Sequence, residues 1–253
     1  MSADDPQTRS TFGGVPEVGY RDILRLAWPS VLSFVLNNAY RINDQYWVQG
    51  LGTEAQAALG STIFVLIMNF SVFFLAVGGA LPLVARATGA GDPEARDSWI
   101  RHALFLGSVI AILMSVVGSL MTDTIIGWLG LEGDAAVHAA DYLGTLYLFS
   151  LPMALAPLLD SCFVGMGHTR VPLFMQGTAV TCNFILNPIL IYGSGRFDWV
   201  PFEGLGMQGA ALATAASRAI AMTVGLTILI RWFGVNPLRN ARGIRMEGRH
   251  HSR

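Results

Sequence analysis

The chain contains few charged residues and no lysine. Only 13% of its 253 residues are charged, compared with about 25% in soluble domains, whereas 53% are hydrophobic and the mean hydropathy is +0.49. All basic residues are arginines and the net charge is −1, so the bulk charge does not indicate a nucleic-acid partner. This composition excludes an ordinary soluble domain and predicts an integral membrane protein whose surroundings are lipid.

Sequence motifs for catalysis and metal binding are also missing. The two cysteines, Cys162 and Cys182, both lie in apolar runs and indicate neither a disulfide framework nor a metal site. The five histidines form no H-E-x-x-H arrangement, and the chain has no phosphate-binding loop of the Walker type. We therefore expect no enzymatic activity and no cofactor. Transport by this chain would have to be driven by an ion gradient and not by ATP.

Six segments are long and apolar enough to span a membrane, which takes about 20 residues per helix. They are residues 23–48, 55–85, 103–121, 142–163, 171–192 and 209–233. The fourth contains Pro152 and Pro157, and the sixth opens with the small-residue run GAALATAAS, which lets neighbouring helices approach closely. The pattern predicts an all-α bundle of six transmembrane helices over residues 23–233, between an N-terminal tail (1–22) and an Arg-rich C-terminal tail (234–253).

The arginines are distributed unequally between the two sides of this bundle. They occur in both tails and in the loops after the second and fourth segments, whereas the loops on the opposite side hold only Arg196. Basic residues are retained on the cytoplasmic side of a membrane. Both termini are therefore expected in the cytoplasm, with the protein in the inner (plasma) membrane.

The first predicted span carries polar residues where a membrane helix usually carries leucine. Arg41 and Asp44 lie within it, and an ionised residue at the centre of a helix costs roughly 2.5–3.5 kcal/mol on insertion scales. These side chains must face protein or water, which makes Asp44 a candidate marker of a transport pathway. Alternatively, Arg41 and Asp44, three residues apart on one helical face, only neutralise each other.

The fifth predicted span offers a second polar face. Asn183 and Asn187 are four residues apart and share a face, and Pro188 leaves a backbone carbonyl one turn earlier without its usual donor. The exposed oxygens suit a proton network or a hard cation. The alternative is a pair of interhelical hydrogen bonds, each worth about 0.6–2 kcal/mol.

The sixth predicted span places Thr214 four residues before Arg218, inside the membrane. Arg218 needs an acceptor, and Asp44 is the carboxylate predicted at a similar depth. We expect Asp44 to pair with Arg218 or with Arg41. Asp160, near the end of the fourth span, is expected to reach the cytoplasmic interface near Arg170.

Several short motifs in this order resemble the multidrug and toxic compound extrusion (MATE) family of cation-coupled antiporters. The resemblance covers residues 21–233. The motifs are Trp28-Pro29, Asp44…Val48-x-Gly50-Leu51-Gly52, Gly89-Ala90-Gly91-Asp92, Gly165-Met166-Gly167-x-Thr169-Arg170-x-Pro172, Asn183…Asn187-Pro188-x-Leu190-Ile191-x-Gly193 and Gly206…Gly209-Ala210-Ala211-x-Ala213-Thr214.

This resemblance implies a fold, a function and a site. MATE transporters have twelve helices in two six-helix lobes, and this chain matches the N-terminal lobe. The chain would be half of a secondary transporter that exports lipophilic or cationic drugs in exchange for H⁺ or Na⁺, with a second lobe supplied by a separate chain or by a homodimer. Asp44 would match the carboxylate of the ion site, with Asn183 and Thr214 as its polar partners and Asn187 where some members carry a second Asp. A coupling Na⁺ would bind at Asp44 and Asn183.

Two other functions fit the same sequence. A flippase for lipid-linked saccharides shares the overall architecture, and its cavity tends to carry cationic side chains for a pyrophosphate, a role open to Arg41 and Arg218. A membrane subunit or truncated fragment that does not transport is the third hypothesis.

The arginine distribution predicts the topology of reporter fusions. Fusions after Gly133 and Phe197 should report an external location, and fusions after Asp92 and Arg242 a cytoplasmic one, because each pair lies on one side of a six-span bundle. Paired alkaline phosphatase and fluorescent-protein reporters measure this. An external signal at Arg242 would contradict the six-span topology.

Overall fold

The computed structural model of the chain describes residues 20–235, and both predicted tails lie almost wholly outside this range. Within it the chain forms seven α-helices and one short 3₁₀ helix, Gln49–Leu51. The α-helices are α1 Tyr20–Val48, α2 Thr53–Gly89, α3 Pro93–Trp128, α4 Gly133–Leu148, α5 Ser150–Gly165, α6 Arg170–Tyr192 and α7 Gly206–Phe233.

The helices match the predicted spans in order. By length and composition α2, α3, α6 and α7 can each cross a membrane, and α4 with α5 can form one further, broken span. Helix α1 is not in this group, since Arg41, Asp44 and neighbouring asparagines lower its apolar character. At 29 residues it measures about 44 Å, longer than a hydrocarbon core of about 30 Å. The predicted all-α membrane bundle is confirmed, and its six predicted segments correspond to α1, α2, α3, the α4–α5 pair, α6 and α7, of which five meet the length and composition of a membrane span.

The fourth predicted span is bent and not continuous. Helices α4 and α5 meet at Phe149 with an angle of 59° between them. Pro152 is the physical reason, because it has no N–H to donate to the carbonyl of Leu148, the bond that would join the two helices. The bend lets α5 pass through the middle of the bundle, where it packs on α2, α3 and α7.

The core lies around α5. Its side chains Leu158, Leu159 and Phe163 are almost completely buried. A second cluster joins Val48 at the end of α1 to small residues at the start of α7, among them Ala210. Both clusters hold α1, α6 and α7 together, which are the helices that carry the predicted site residues.

Helices α6 and α7 form a close hairpin, as the run of small residues predicted. Gly209 lies so near the backbone of α6 that a Cβ atom at this position would overlap the carbonyl of Leu190. The amide of Leu205 donates to that same carbonyl over 2.9 Å. This backbone approach fixes Thr214 and Arg218, further along α7, opposite α6.

We predict that Gly209→Ala destabilises the lobe by roughly 1–3 kcal/mol, because the added methyl group meets backbone and not a side chain that can move. Gly177→Ala is the matched control on α6, where a Cβ atom would meet nothing within 4 Å and alanine favours the helix by up to about 1 kcal/mol. Thermal unfolding in detergent measures both. Equal melting temperatures for the two variants would contradict the close packing of α6 and α7.

Candidate functional site

Asp44 lies at the centre of a polar cluster formed by three helices. Its side chain is 6% exposed. The Nδ2 groups of Asn183 and Asn187 donate to its Oδ1 over 3.1 and 2.6 Å, and Thr214 Oγ1 donates to its Oδ2 over 3.2 Å. The four residues that the sequence singled out are therefore in direct contact, and both carboxylate oxygens of Asp44 are hydrogen-bonded.

The spacing of residues on α6 and α7 produces this cluster. Asn183 and Asn187 are one turn apart and fully buried, which confirms that they share a face. Thr214 is in the third turn of α7, and its backbone carbonyl accepts a 2.9 Å hydrogen bond from Tyr40 Oη on α1. Tyr40 is one turn before Asp44 and so ties α1 to α7 beside the carboxylate.

Asn43 extends the network and was not among the predicted site residues. Its Nδ2 donates to Asn183 Oδ1 over 2.8 Å, and its Oδ1 accepts from Trp47 Nε1 over 3.0 Å. Asn43 thus fixes the direction of the Asn183 amide, whose Nδ2 must then point to Asp44. Its place next to Asp44 in a predicted span was the available signal, but sequence alone did not show which of the neighbouring asparagines faces inward.

Asn187 keeps one unused acceptor. Its Oδ1 is buried and has no hydrogen-bond partner, whereas its Nδ2 is engaged by Asp44. Unpaired buried polar atoms are rare in folded proteins and call for an explanation. This oxygen belongs to the amide whose Nδ2 binds Asp44, and it is a neutral acceptor of the kind that a hard cation or a proton donor uses.

Neither arginine pairs with Asp44, and this prediction was wrong. Among the described residues the ion pair found joins Arg96 to Asp97. Arg218 is buried, donates from Nη1 to Gln176 Oε1 over 3.2 Å and stacks on the ring of Tyr40, with its Cζ 5.0 Å from the ring centroid. The donors on α6 and Thr214 already satisfy the carboxylate, so Arg218 turns toward the next polar group along α6.

Arg41 is likewise separate from Asp44. Its side chain is exposed, whereas that of Asp44 is buried. Two residues three positions apart on a helix point about 60° apart, since each residue turns the helix by 100°. Here the rotation directs Asp44 to α6 and α7 and leaves Arg41 at the wall of the cavity described below.

Asp160 does not reach the interface near Arg170, as had been predicted. Its Oδ2 accepts a 2.6 Å hydrogen bond from Gln176 Nε2, while Arg170 is exposed. Gln176 lies in the second turn of α6, opposite α5, and its side chain takes the position beside Asp160 that was predicted for Arg170. The sequence did not identify Gln176, although it is seven residues before Asn183 and therefore on the same face of α6.

One cavity of about 760 Å³ connects these groups. This volume lies in the range of roughly 300–1,000 Å³ that is typical of small-molecule sites. Its walls are mainly apolar side chains of α1, α2, α4 and α5. The polar residues at its wall include Asn37, Asn38, Arg41, Asp44, Gln45, Asp160, Gln176, Thr214 and Arg218. Such a cavity can hold a lipophilic molecule that carries a charged group.

The described part of the chain holds no group of three or more His, Cys, Asp or Glu side chains that could bind a metal ion. A Na⁺ at Asp44 would therefore depend on one carboxylate and on neutral oxygens such as those of Asn187 and Thr214. This donor set is compatible with a weakly bound monovalent cation.

Similar proteins were found by sequence. A family model described as MatE matches residues 29–189. The FAD transporter of Shewanella oneidensis is 28% identical over 216 residues, which are 83% of this chain and 45% of that protein. A probable multidrug resistance protein NorM of Thermotoga maritima is 26% identical over 206 residues, or 81% of this chain and 43% of that protein. The chain therefore spans less than half the length of these curated relatives.

Solved structures agree with the sequence matches. An outward-facing multidrug resistance MATE family transporter of the MOP superfamily superposes with a TM-score of 0.73 at 25% identity, over 83% of this chain and 45% of that one. An inward-facing structure with the same description gives a TM-score of 0.68 at 24% identity, over 79% and 45%. The family model covers more than half of the chain, and the chain covers 45% of each solved structure. The chain therefore belongs to the MATE family of multi-pass membrane transporters and corresponds to one of its lobes.

Proposed function

We propose that this chain is one lobe of a secondary transporter that exports lipophilic organic cations in exchange for H⁺ or Na⁺. The observation that carries the proposal is the buried carboxylate of Asp44, which receives three hydrogen bonds from α6 and α7 and lines the large, mostly apolar cavity. The names of the relatives, a multidrug resistance protein among them, support export of toxic compounds.

Asp44 is suited to couple an ion to a change of conformation. A bound ion shifts a conformational equilibrium only if its affinity differs between the two states. Protonation of Asp44 would remove the charge that the amides of Asn183 and Asn187 and the hydroxyl of Thr214 now stabilise. These donors belong to α6 and α7, so a change at Asp44 acts directly on the packing of α1 against that hairpin.

The available driving force is sufficient for such a switch. A proton gradient supplies about 1.36 kcal/mol per pH unit, and the membrane potential about 2.3 kcal/mol per charge per 100 mV. Conformations that differ by a few kcal/mol are therefore within reach of one proton or one Na⁺. The unpaired Oδ1 of Asn187 supports the Na⁺ alternative, since it is a neutral acceptor on the residue that binds Asp44.

A second lobe is part of the proposal. The chain covers 43–45% of its relatives, and transporters built from repeats place the substrate site at the interface between the repeats. A separate chain or a second copy would supply the opposite wall of the cavity. In the complete transporter this lobe would lie in the inner membrane with both termini in the cytoplasm.

A substrate that carries a pyrophosphate is the second candidate. Arg41 and Arg218 both line the cavity, and one of the relatives is named an FAD transporter. Guanidinium groups bind phosphate oxygens well. The lipid-linked saccharides that the sequence left open contain the same group, so both belong to one chemical class of substrate.

We predict that Asp44→Asn abolishes gradient-driven efflux and leaves expression and membrane insertion near normal. The amide keeps the shape of the side chain, and the Thr214 hydroxyl can turn to accept a hydrogen bond, but the residue no longer titrates. Ethidium efflux from everted vesicles or proteoliposomes, with the second lobe co-expressed where one exists, measures this. Asp123→Asn, an exposed carboxylate on α3, is the matched control and should transport at the parental rate.

Efflux of ethidium by Asp44→Asn at the parental rate under the same gradient would contradict the coupling role. Repeating the parental assay with a pH gradient in Na⁺-free buffer, and then with a Na⁺ gradient at equal pH, identifies the coupling ion.

The two substrate classes predict opposite results with FAD, which is itself fluorescent. If organic cations are the substrates, ethidium binds the purified chain saturably and FAD does not displace it. The pyrophosphate alternative requires saturable FAD binding that Arg41→Gln weakens by about tenfold, the loss expected for one charge-assisted hydrogen bond. Fluorescence anisotropy titration measures both.

A further inference from the structure

A second group of charged and polar side chains lines the same cavity, apart from the Asp44 cluster. It consists of Asp160 on α5, Gln176 on α6, Arg218 on α7 and the ring of Tyr40 on α1. Gln176 is seven residues before Asn183, about 10 Å along α6. Gln176 and Asp160 therefore lie toward the α5–α6 connection, and Tyr40, which donates to the carbonyl of Thr214, adjoins the Asp44 cluster.

Gln176 lies between two opposite charges. Its carbonyl Oε1 accepts from Arg218 Nη1 over 3.2 Å, and its Nε2 donates to Asp160 Oδ2 over 2.6 Å. The two contacts together fix the orientation of the amide, since a flipped amide would present a donor to the guanidinium and an acceptor to the carboxylate. The carboxylate and the guanidinium are thus joined through one amide and do not touch as an ion pair.

The surroundings of the Arg218 guanidinium are those of a binding site for an organic cation. An aromatic face lies 5.0 Å from Cζ, an amide carbonyl accepts a hydrogen bond, and a carboxylate follows directly behind that amide. Aromatic rings and acceptor oxygens of this kind bind ammonium and guanidinium groups of ligands. The guanidinium of Arg218 shows that a positive charge is stabilised at this point.

Asp160 has acceptor capacity that Arg218 does not use. Its Oδ1 is buried without a hydrogen-bond partner. A carboxylate in such surroundings is expensive unless a positive charge or a donor compensates it. Asp160 and Tyr40 both line the cavity, so a cationic group that replaced the guanidinium there would meet this carboxylate and the face of the ring.

We propose that Asp160, Gln176 and the ring of Tyr40 form a second, cation-binding subsite, which the Arg218 guanidinium occupies in this structure and from which a substrate cation displaces it. The inference rests on the proposed function for its substrate class, and it assigns the recognition of the cationic group to Asp160 and coupling to Asp44. Arg218 acts as an internal competitor that lowers the affinity of cationic ligands for this subsite.

Two variants are expected to change ethidium binding in opposite directions. Asp160→Asn should weaken binding to the detergent-solubilised 253-residue chain by about tenfold, which corresponds to about 1.4 kcal/mol, because the carboxylate charge is lost. Arg218→Gln should tighten it by a similar factor, because the competitor is gone. Anisotropy titration with ethidium measures both, and Asp123→Asn and Arg231→Gln, both exposed, are matched controls with unchanged binding.

The double variant Asp160→Asn/Arg218→Gln keeps the net charge of the parental chain. It is the control for misfolding of the single variant Arg218→Gln, in which Asp160 loses its compensating charge. It should bind ethidium more tightly than Asp160→Asn alone, because no guanidinium competes with the dye. Thermal unfolding with and without ethidium provides an independent readout, since a ligand that binds the folded state raises the melting temperature.

The outcomes separate this inference from the proposed function. Unchanged ethidium affinity in Asp160→Asn, or weaker binding in Arg218→Gln, overturns the subsite and leaves the exporter proposal standing. Absence of saturable ethidium binding to the parental chain overturns both. Loss of efflux in Asp44→Asn together with unchanged binding in Asp160→Asn shows a coupled exporter that recognises its substrate elsewhere.

Discussion

The structure depends on one requirement, which is that a carboxylate inside a membrane-spanning helix must have donors. Lipid supplies none, so protein, or water within the cavity, must supply the hydrogen bonds that the charge needs. Asp44 obtains its donors from α6 and α7, and these helices can supply them only if they pack closely together. The backbone approach at Gly209 and the buried alanines of α7 serve this packing. The polar site and the apolar core are therefore not independent parts of the lobe.

The same requirement explains the second carboxylate. The bend between α4 and α5 directs α5 through the middle of the bundle. Asp160 on α5 therefore meets Gln176 on the polar face of α6. That face carries Gln176, Asn183 and Asn187 in succession, and each side chain serves a carboxylate. Helix α6 thus presents a row of amide donors to these carboxylates, of which Gln176 lines the cavity, and α7 contributes the hydroxyl and the guanidinium.

This arrangement gives Arg218 contacts that differ from the ion pair that its charge suggests. A buried guanidinium beside a buried carboxylate is expected to form an ion pair, but Asp44 is already satisfied by three neutral donors. Neutral donors leave the carboxylate free to change its protonation or to bind a cation without first breaking an ion pair. Arg218 is held instead by an amide and an aromatic face, contacts that can be exchanged for those of a ligand.

The sequence by itself determined the class of protein, the approximate spans and four members of the site. A long apolar run can only be a membrane helix, and a carboxylate within it must face polar partners; the spacing of Asn183 and Asn187 put both amides on one face. The sequence could not determine the partner of each charge. Periodicity states which side chains share a face of one helix, but the rotation of helices against each other decides which faces meet. The tertiary structure therefore decided that Arg218 turns to Gln176 and Tyr40 and that Asp160 meets α6 and not Arg170, because both depend on contacts between different helices.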